Sequence, residues 1–114
     1  MADEFPQMFR VRQRFEATPP VDVAASVADG FPAIRGQLKP GMRIAVGVGS
    51  RGISNLAKVV AAVIGELKSA GAAPFIIPAM GSHGGATPEG QAQLLAGYGV
   101  TEASMGVPIH ASME

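Results

Sequence analysis

Hydrophobic and polar residues alternate near the start of the chain, over residues 9–15. Phe9, Val11 and Phe15 fall on one side of this stretch, and three arginines fall on the other. A period of two with one polar side predicts a strand at the edge of a sheet. Because the rest of the chain has no basic excess, we interpret the arginines as a solvated face rather than as a phosphate-binding patch.

A helical pattern follows a break at Pro19 and Pro20. Its apolar residues recur at spacings of three and four, at Val23, Val27, Phe31, Ile34 and Leu38. Gly30 and Pro32 lie inside this pattern, and a proline removes a helical hydrogen bond and clashes with the preceding turn. We therefore expect the helix to be kinked or divided there.

Two short apolar runs without alternation, residues 42–48 and 74–78, are typical of strands buried on both faces of a parallel sheet. The helical stripe between them covers residues 54–70, and Gly71 is a suitable terminator. The order strand, helix, strand predicts a βαβ unit with parallel strands.

A second helix is predicted to begin at Thr87, with Thr87 as its N-cap and Pro88 at the first helical position. It should end at Gly97 or Gly99, and residues 107–109 predict the start of another strand. The fold class is therefore α/β, with Rossmann-like βαβ layers, a mainly parallel sheet and the N-terminal edge strand. Residues 1–114 form a single α/β domain in this interpretation.

The composition adds one constraint and several exclusions. Only 16% of the 114 residues are charged, against about 25% in typical domains, so we expect part of the surface to be covered by protein, either a missing C-terminal domain or a further copy in a homo-oligomer. Nine basic and nine acidic residues give no net charge, which favours neither a nucleic-acid nor a membrane-surface partner. The absence of cysteine excludes disulfides and thiolate zinc sites. Without a secretory signal pattern or an apolar run of about 20 residues, the expected location is cytoplasmic.

Candidate chemistry lies in two loops that follow the predicted strands, residues 49–55 and 79–87. Ligands of open parallel sheets bind at the carboxyl ends of strands, and each loop carries one large ionisable side chain among small residues, Arg51 in the first and His83 in the second. Arg51 could bind a carboxylate through paired N–H donors, or could be a solvated loop arginine. His83 could be a general base, or could hydrogen-bond to the backbone of a tight loop.

Three other motifs are weaker. Residues 47–52 fit G-x-G-x-x-G, but the first glycine lies inside the strand run, and residues 78–80 lack the acid that would hold a ribose. The adjacent Ser82 and His83 do not form a hydrolase elbow. His110 and His83 together are too few ligands for a closed metal site, so we interpret His110 as an ordinary strand-end histidine.

Residues 49–53, followed by the stretch 78–91, resemble the N-terminal domain of the nickel-pincer-dependent lactate racemase family. The likeness extends over roughly residues 42–114 and is greatest to a branch with a glycine-rich histidine loop. The racemase loop reads Thr-Gly-Thr-His-Arg, followed by a threonine and a glutamate, and His83, Thr87 and Glu89 keep that spacing.

The resemblance implies racemisation or epimerisation of a small-molecule 2-hydroxy acid. His83 would remove the substrate hydroxyl proton as general base and Arg51 would bind the carboxylate, while Ser50, Gly81 and Ser82 would contribute further substrate contacts. Residues 1–114 would be the N-terminal part of a longer two-domain enzyme, and the nickel-pincer nucleotide is implied for that full-length enzyme. Its anchoring residues and a second catalytic histidine are expected beyond residue 114, so this chain alone is expected to be inactive and to bind no cofactor.

Departures from the family pattern also carry information. Gly84 stands where the racemase has an arginine, and the family's Asp-Pro-Thr-Arg stretch is matched only by Ser50 and Arg51. We therefore expect a substrate other than lactate. A phosphate- or nucleotide-binding α/β module without catalysis is the alternative, and a structural or interaction domain is the third possibility.

Overall fold

The computed structural model describes residues 5–114, and its centre is a pair of parallel strands. Strand β1, Arg43–Val48, pairs with strand β2, Ala73–Pro78, in a register that sets Arg43 beside Ala73 and Val48 beside Pro78. Helix α3, Leu56–Ser69, connects the two strands. The predicted βαβ unit is confirmed, with strand bounds that differ from the prediction by no more than one residue.

The helices pack on one face of this sheet. Burial alternates along β2, where Pro74 and Ile76 are buried and their neighbours are not. Side chains of both strands, α3 and the C-terminal helices join in one apolar core, whose buried members are Val48, Val60, Ile64, Ile76, Met80, Leu95, Val100, Met105 and Val107. The expectation of strands buried on both faces is therefore wrong for β1, in which Arg43, Ala45 and Gly47 are exposed.

The second half of the chain continues with helix α4, Pro88–Gly97, and the short helix α5, Glu102–Met105. The Thr87 side chain caps α4 by accepting a hydrogen bond from the Gly90 N–H at 3.1 Å. This is the start that the sequence predicts, because a threonine oxygen satisfies one of the unpaired N–H groups of the first helical turn.

The predicted third strand is reduced to one bridge between Ile109 and Ile76, in parallel orientation. The Ile76 N–H donates to the Pro108 carbonyl at 2.9 Å, and the His110 N–H donates to the Ile76 carbonyl at 2.8 Å. Strand β2 therefore has a neighbour on each side, and β1 lies at one edge of the sheet.

The N-terminal helical pattern forms two helices, as expected. Helix α1, Val23–Gly30, and helix α2, Pro32–Arg35, are separated at Phe31, where Pro32 begins the new helix. The Phe31 side chain is buried in a second small core with Leu67 and Ala72. A proline inside a helix lacks the N–H that would continue the hydrogen bonding, but it is tolerated at the first helical position. The pattern is therefore divided, and a new helix begins at Pro32.

The predicted edge strand over residues 9–15 is wrong. Residues 5–22 form neither helix nor strand, and Phe9, Val11 and Phe15 are each at least 80% exposed. Alternation shows that a segment could pair, but a strand also needs a neighbour whose C=O groups accept from its N–H groups and whose N–H groups donate to its C=O groups. Within residues 5–114 the segment pairs with neither strand of the sheet. Over the same residues, no helix is both long enough and apolar enough to cross a membrane.

Candidate functional site

The two candidate loops leave the sheet at the same edge. Val48 and Pro78 are register partners at the ends of β1 and β2. The Ala79 N–H donates to the Val48 carbonyl at 2.8 Å, which extends the pairing by one step. Residues 49–55 and 79–87 therefore begin side by side, as expected for two parallel strands.

A cavity of about 270 Å³ lies between these loops. Its lining residues come from both loops and are Gly49, Ser50, Arg51, Ala79, Met80, Gly81 and His83. The structure thus brings together four of the five residues singled out from the sequence, and Ser82 is not among the lining residues. Arg51 is the one permanently charged side chain of this lining, so the cavity suits a small anion.

Ser50 and His83 contact each other across the cavity. The Ser50 hydroxyl oxygen and His83 Nδ1 are 2.5 Å apart, which is shorter than a normal hydrogen bond. The serine is half-buried and the histidine is exposed. The two residues are 33 positions apart, and no sequence motif signals the contact.

Two side chains, Gln91 in α4 and Tyr98 directly after it, hold the loops in place, and sequence reasoning assigned a role to neither. The Tyr98 hydroxyl donates to the Ser50 carbonyl at 2.8 Å. Gln91 Nε2 donates to the Gly81 carbonyl at 2.8 Å and to the His83 carbonyl at 3.1 Å. The sequence contains only weak indications of these two roles. Tyr98 is the one tyrosine of the chain, and Gln91 is a polar residue on the buried side of a helix.

Gly84 allows the histidine loop to fold against the start of α4. Its φ is +68°, and a Cβ at this position would lie 2.6 Å from the Gln91 nitrogen and from the Gly90 carbonyl carbon. An arginine, which the racemase pattern has here, does not fit this backbone. The backbone conformation of this loop therefore requires glycine at position 84.

His110 lies apart from the cavity. Its ring packs on Phe75, with ring centroids 5.0 Å apart. Its backbone N–H donates to the Ile76 carbonyl of β2, in agreement with the strand-end interpretation. Among residues 5–114, no three His, Cys, Asp or Glu side chains are grouped so that they could hold a metal ion. The described residues thus offer no ligand set for the nickel that the resemblance implies.

A second, larger depression of about 550 Å³ lies along α4, lined by Gly84, Gly90, Gln93, Leu94, Gly97 and Tyr98. It is open, and its lining contains no carboxylate, imidazole or cationic group. We therefore place the candidate site in the smaller cavity, where the ionisable side chains lie.

Comparison with protein-family models, with curated proteins and with solved structures finds no match to this chain. A function can therefore be inferred from the side chains of the cavity and from the motif resemblance.

Proposed function

We propose that this chain forms the substrate site of a cytoplasmic racemase- or epimerase-like enzyme that acts on a 2-hydroxy acid. The fold in this proposal is a Rossmann-like α/β domain, and the enzyme family is that of the nickel-pincer lactate racemases. One observation carries the proposal. Arg51 and His83, from loops after two neighbouring parallel strands, line the same small cavity.

Arg51 binds the substrate carboxylate in this proposal. A guanidinium presents paired N–H donors that match two carboxylate oxygens. The cavity volume of about 270 Å³ is slightly below the roughly 300–1,000 Å³ of pockets for drug-sized ligands. It therefore suits a substrate of a few carbon atoms, with the Ser50 hydroxyl and the backbone of Gly81 and Ser82 as further contacts.

His83 removes the proton of the substrate hydroxyl. Imidazole accepts a proton near neutral pH, which makes histidine the most common general base of enzymes. Inversion at the hydroxyl carbon also needs a hydride acceptor, which the nickel-pincer nucleotide supplies in the racemase family. The steps assigned to this chain are carboxylate binding and proton removal.

The alternative is a phosphate- or nucleotide-binding module. It is favoured by the glycine-rich loop after β1, in which Gly52 has a φ of +64°, and by Arg51 as the charged group of the cavity. Phosphate and carboxylate each present two oxygens that an arginine can bind with a pair of hydrogen bonds. The two proposals differ in His83, which a binding module does not need as a base.

The test is turnover of 2-hydroxy acids by the complete enzyme and its variants. His83→Ala should lower the rate by about 10²–10⁴-fold, the usual effect of losing a general base. His83→Gln should do the same, because an amide keeps hydrogen bonding but accepts no proton at neutral pH. His110→Gln is the matched control and should keep the rate. Normal turnover of His83→Ala with an unchanged melting temperature would exclude His83 as the base and favour the binding module.

A further inference from the structure

We propose that Ser50 is a positioning residue that fixes the ring of His83 with the hydrogen on Nδ1, so that Nε2 is the nitrogen that accepts a proton. The inference rests on the proposed function, because it concerns how His83 acts as a base. Its starting point is the 2.5 Å contact between Ser50 Oγ and His83 Nδ1.

The two possible hydrogen assignments of this contact have opposite chemical consequences. A neutral imidazole has one N–H donor and one acceptor nitrogen. If His83 Nδ1–H donates to Ser50 Oγ, the lone pair is on Nε2, which can then take a proton from a substrate hydroxyl. If the Ser50 hydroxyl donates to Nδ1, Nε2 carries the hydrogen. The pair then resembles a nucleophilic serine with its base.

The surroundings favour the first assignment. A histidine that activates a serine is usually oriented by a third group, such as a carboxylate on its other ring nitrogen. No aspartate or glutamate is among the described residues that line the cavity. Conversely, a ring held through one nitrogen by a hydrogen-bond acceptor has its tautomer set for reaction at the other nitrogen. Ser50 Oγ supplies that acceptor.

The backbone on both sides of the contact is held by a residue of α4 and by the residue that directly follows α4. Tyr98 donates to the Ser50 carbonyl and Gln91 donates to the His83 carbonyl. The positions of the Ser50 hydroxyl and of the His83 ring therefore both depend on the segment formed by α4 and Tyr98. A group that is held in this way can keep a reactive atom in place better than a loop residue alone.

The tautomer can be measured directly in the 114-residue chain. Histidine occurs twice, so ¹⁵N-histidine labelling gives two rings, and His110→Gln assigns them. Two-bond ¹H–¹⁵N correlation spectra, recorded near pH 9 where neutral imidazole dominates, distinguish the protonated nitrogen from the bare one. We expect His83 to carry its hydrogen on Nδ1. Ser50→Ala should abolish this preference, and Ser50→Thr, which keeps the hydroxyl, should retain it.

Two results would overturn the proposal. One is a wild-type His83 with its hydrogen on Nε2, and the other is a Ser50→Ala spectrum identical to that of the wild type. A serine-directed sulfonyl fluoride gives an independent check, with the exposed Ser54 as internal reference. Ser50 should react no faster than Ser54. Labelling of Ser50 more than tenfold faster would assign it as a nucleophile instead.

The spectrum reports the state of the ring and not turnover, so the two proposals can fail separately. A wild-type spectrum without the Nδ1–H preference removes the proposed role of Ser50. The kinetics of His83→Ala then still test whether His83 is the general base. Unchanged turnover of His83→Ala removes the base whatever the tautomer.

Discussion

Gln91→Leu should destabilise the histidine loop. Gln91 is 4% exposed, and its amide nitrogen donates to the carbonyls of Gly81 and His83. Leucine has a similar volume and a good helix propensity, but it cannot donate. The substitution therefore removes two hydrogen bonds while the helix itself is kept.

The expected magnitude follows from those two bonds. A hydrogen bond of this kind contributes about 0.5–1.5 kcal/mol net, and the leucine side chain recovers part of the loss by apolar burial. We expect the free energy of unfolding to fall by about 1–2 kcal/mol. For a domain of this size the melting temperature should then fall by roughly 4–15 °C.

The assay is urea unfolding followed by circular dichroism, with Gln93→Leu as the matched control. Gln93 lies on the same helix and is exposed, so the same substitution there should change the free energy of unfolding by less than about 0.5 kcal/mol. Equal midpoints for the two variants would refute the reasoning that Gln91 holds the loop.

Gln91→Glu adds a dependence on pH with a definite sign. The introduced carboxyl would be buried and would face two carbonyl oxygens, which favours its protonated form and raises its pKa above the usual value of about 4.3. A carboxyl whose folded-state pKa is raised contributes stability below its unfolded pKa and loses it as pH rises through the folded-state pKa. The variant should therefore approach wild-type stability near pH 4 and should be less stable than Gln91→Leu at pH 8. The opposite order at pH 8 would contradict the burial of this side chain against the two carbonyls.

Three further predictions concern the loops and the N-terminal segment. Gly84→Ala should lower the free energy of unfolding by more than Gly81→Ala in urea titrations. Both glycines have positive φ, but only the Cβ at position 84 would meet the backbone of α4. Equal losses would show that the close approach of Gly84 to α4 is unimportant. Deletion of residues 1–20 should leave the melting temperature within about 2 °C of the wild type, since Phe9, Val11 and Phe15 are exposed, and a larger fall would show that this segment packs on the domain. Arg51→Lys should weaken carboxylate binding at least tenfold in a ligand titration without changing the melt, because a point charge replaces a two-pronged donor, and unchanged affinity would remove Arg51 from the site.

The topology could be predicted from the sequence because it depends on local patterns. Short apolar runs predict the two strands, although β1 is buried on one face only, and the amphipathic stripe of residues 56–69 needs a sheet to cover it. Once two parallel strands are neighbours, the loops that follow them must lie at one edge. The placement of Arg51 and His83 on one cavity follows from that constraint.

The remaining features depend on partners that a sequence pattern does not contain. Alternation over residues 9–15 predicted a strand, but the structure supplies no neighbour for it within the described residues. The contact of Ser50 with His83, and the hydrogen bonds from Gln91 and Tyr98, depend on side-chain directions in three dimensions. Their separations along the chain match no periodicity of a helix or a strand, so local reasoning does not find them.

The most direct test of the substrate site is a titration of the isotopically labelled chain with small acids. The panel pairs 2-hydroxy acids with the same acids lacking the hydroxyl, and adds inorganic phosphate. We expect a 2-hydroxy acid to shift the resonances of both the Arg51 side chain and the His83 ring, and to bind more tightly than its deoxy partner and phosphate. In Arg51→Lys, the His83 shifts should require at least tenfold more of the acid. Tighter binding of phosphate than of every hydroxy acid, or shifts that leave Arg51 and His83 unchanged, would contradict the proposed substrate site.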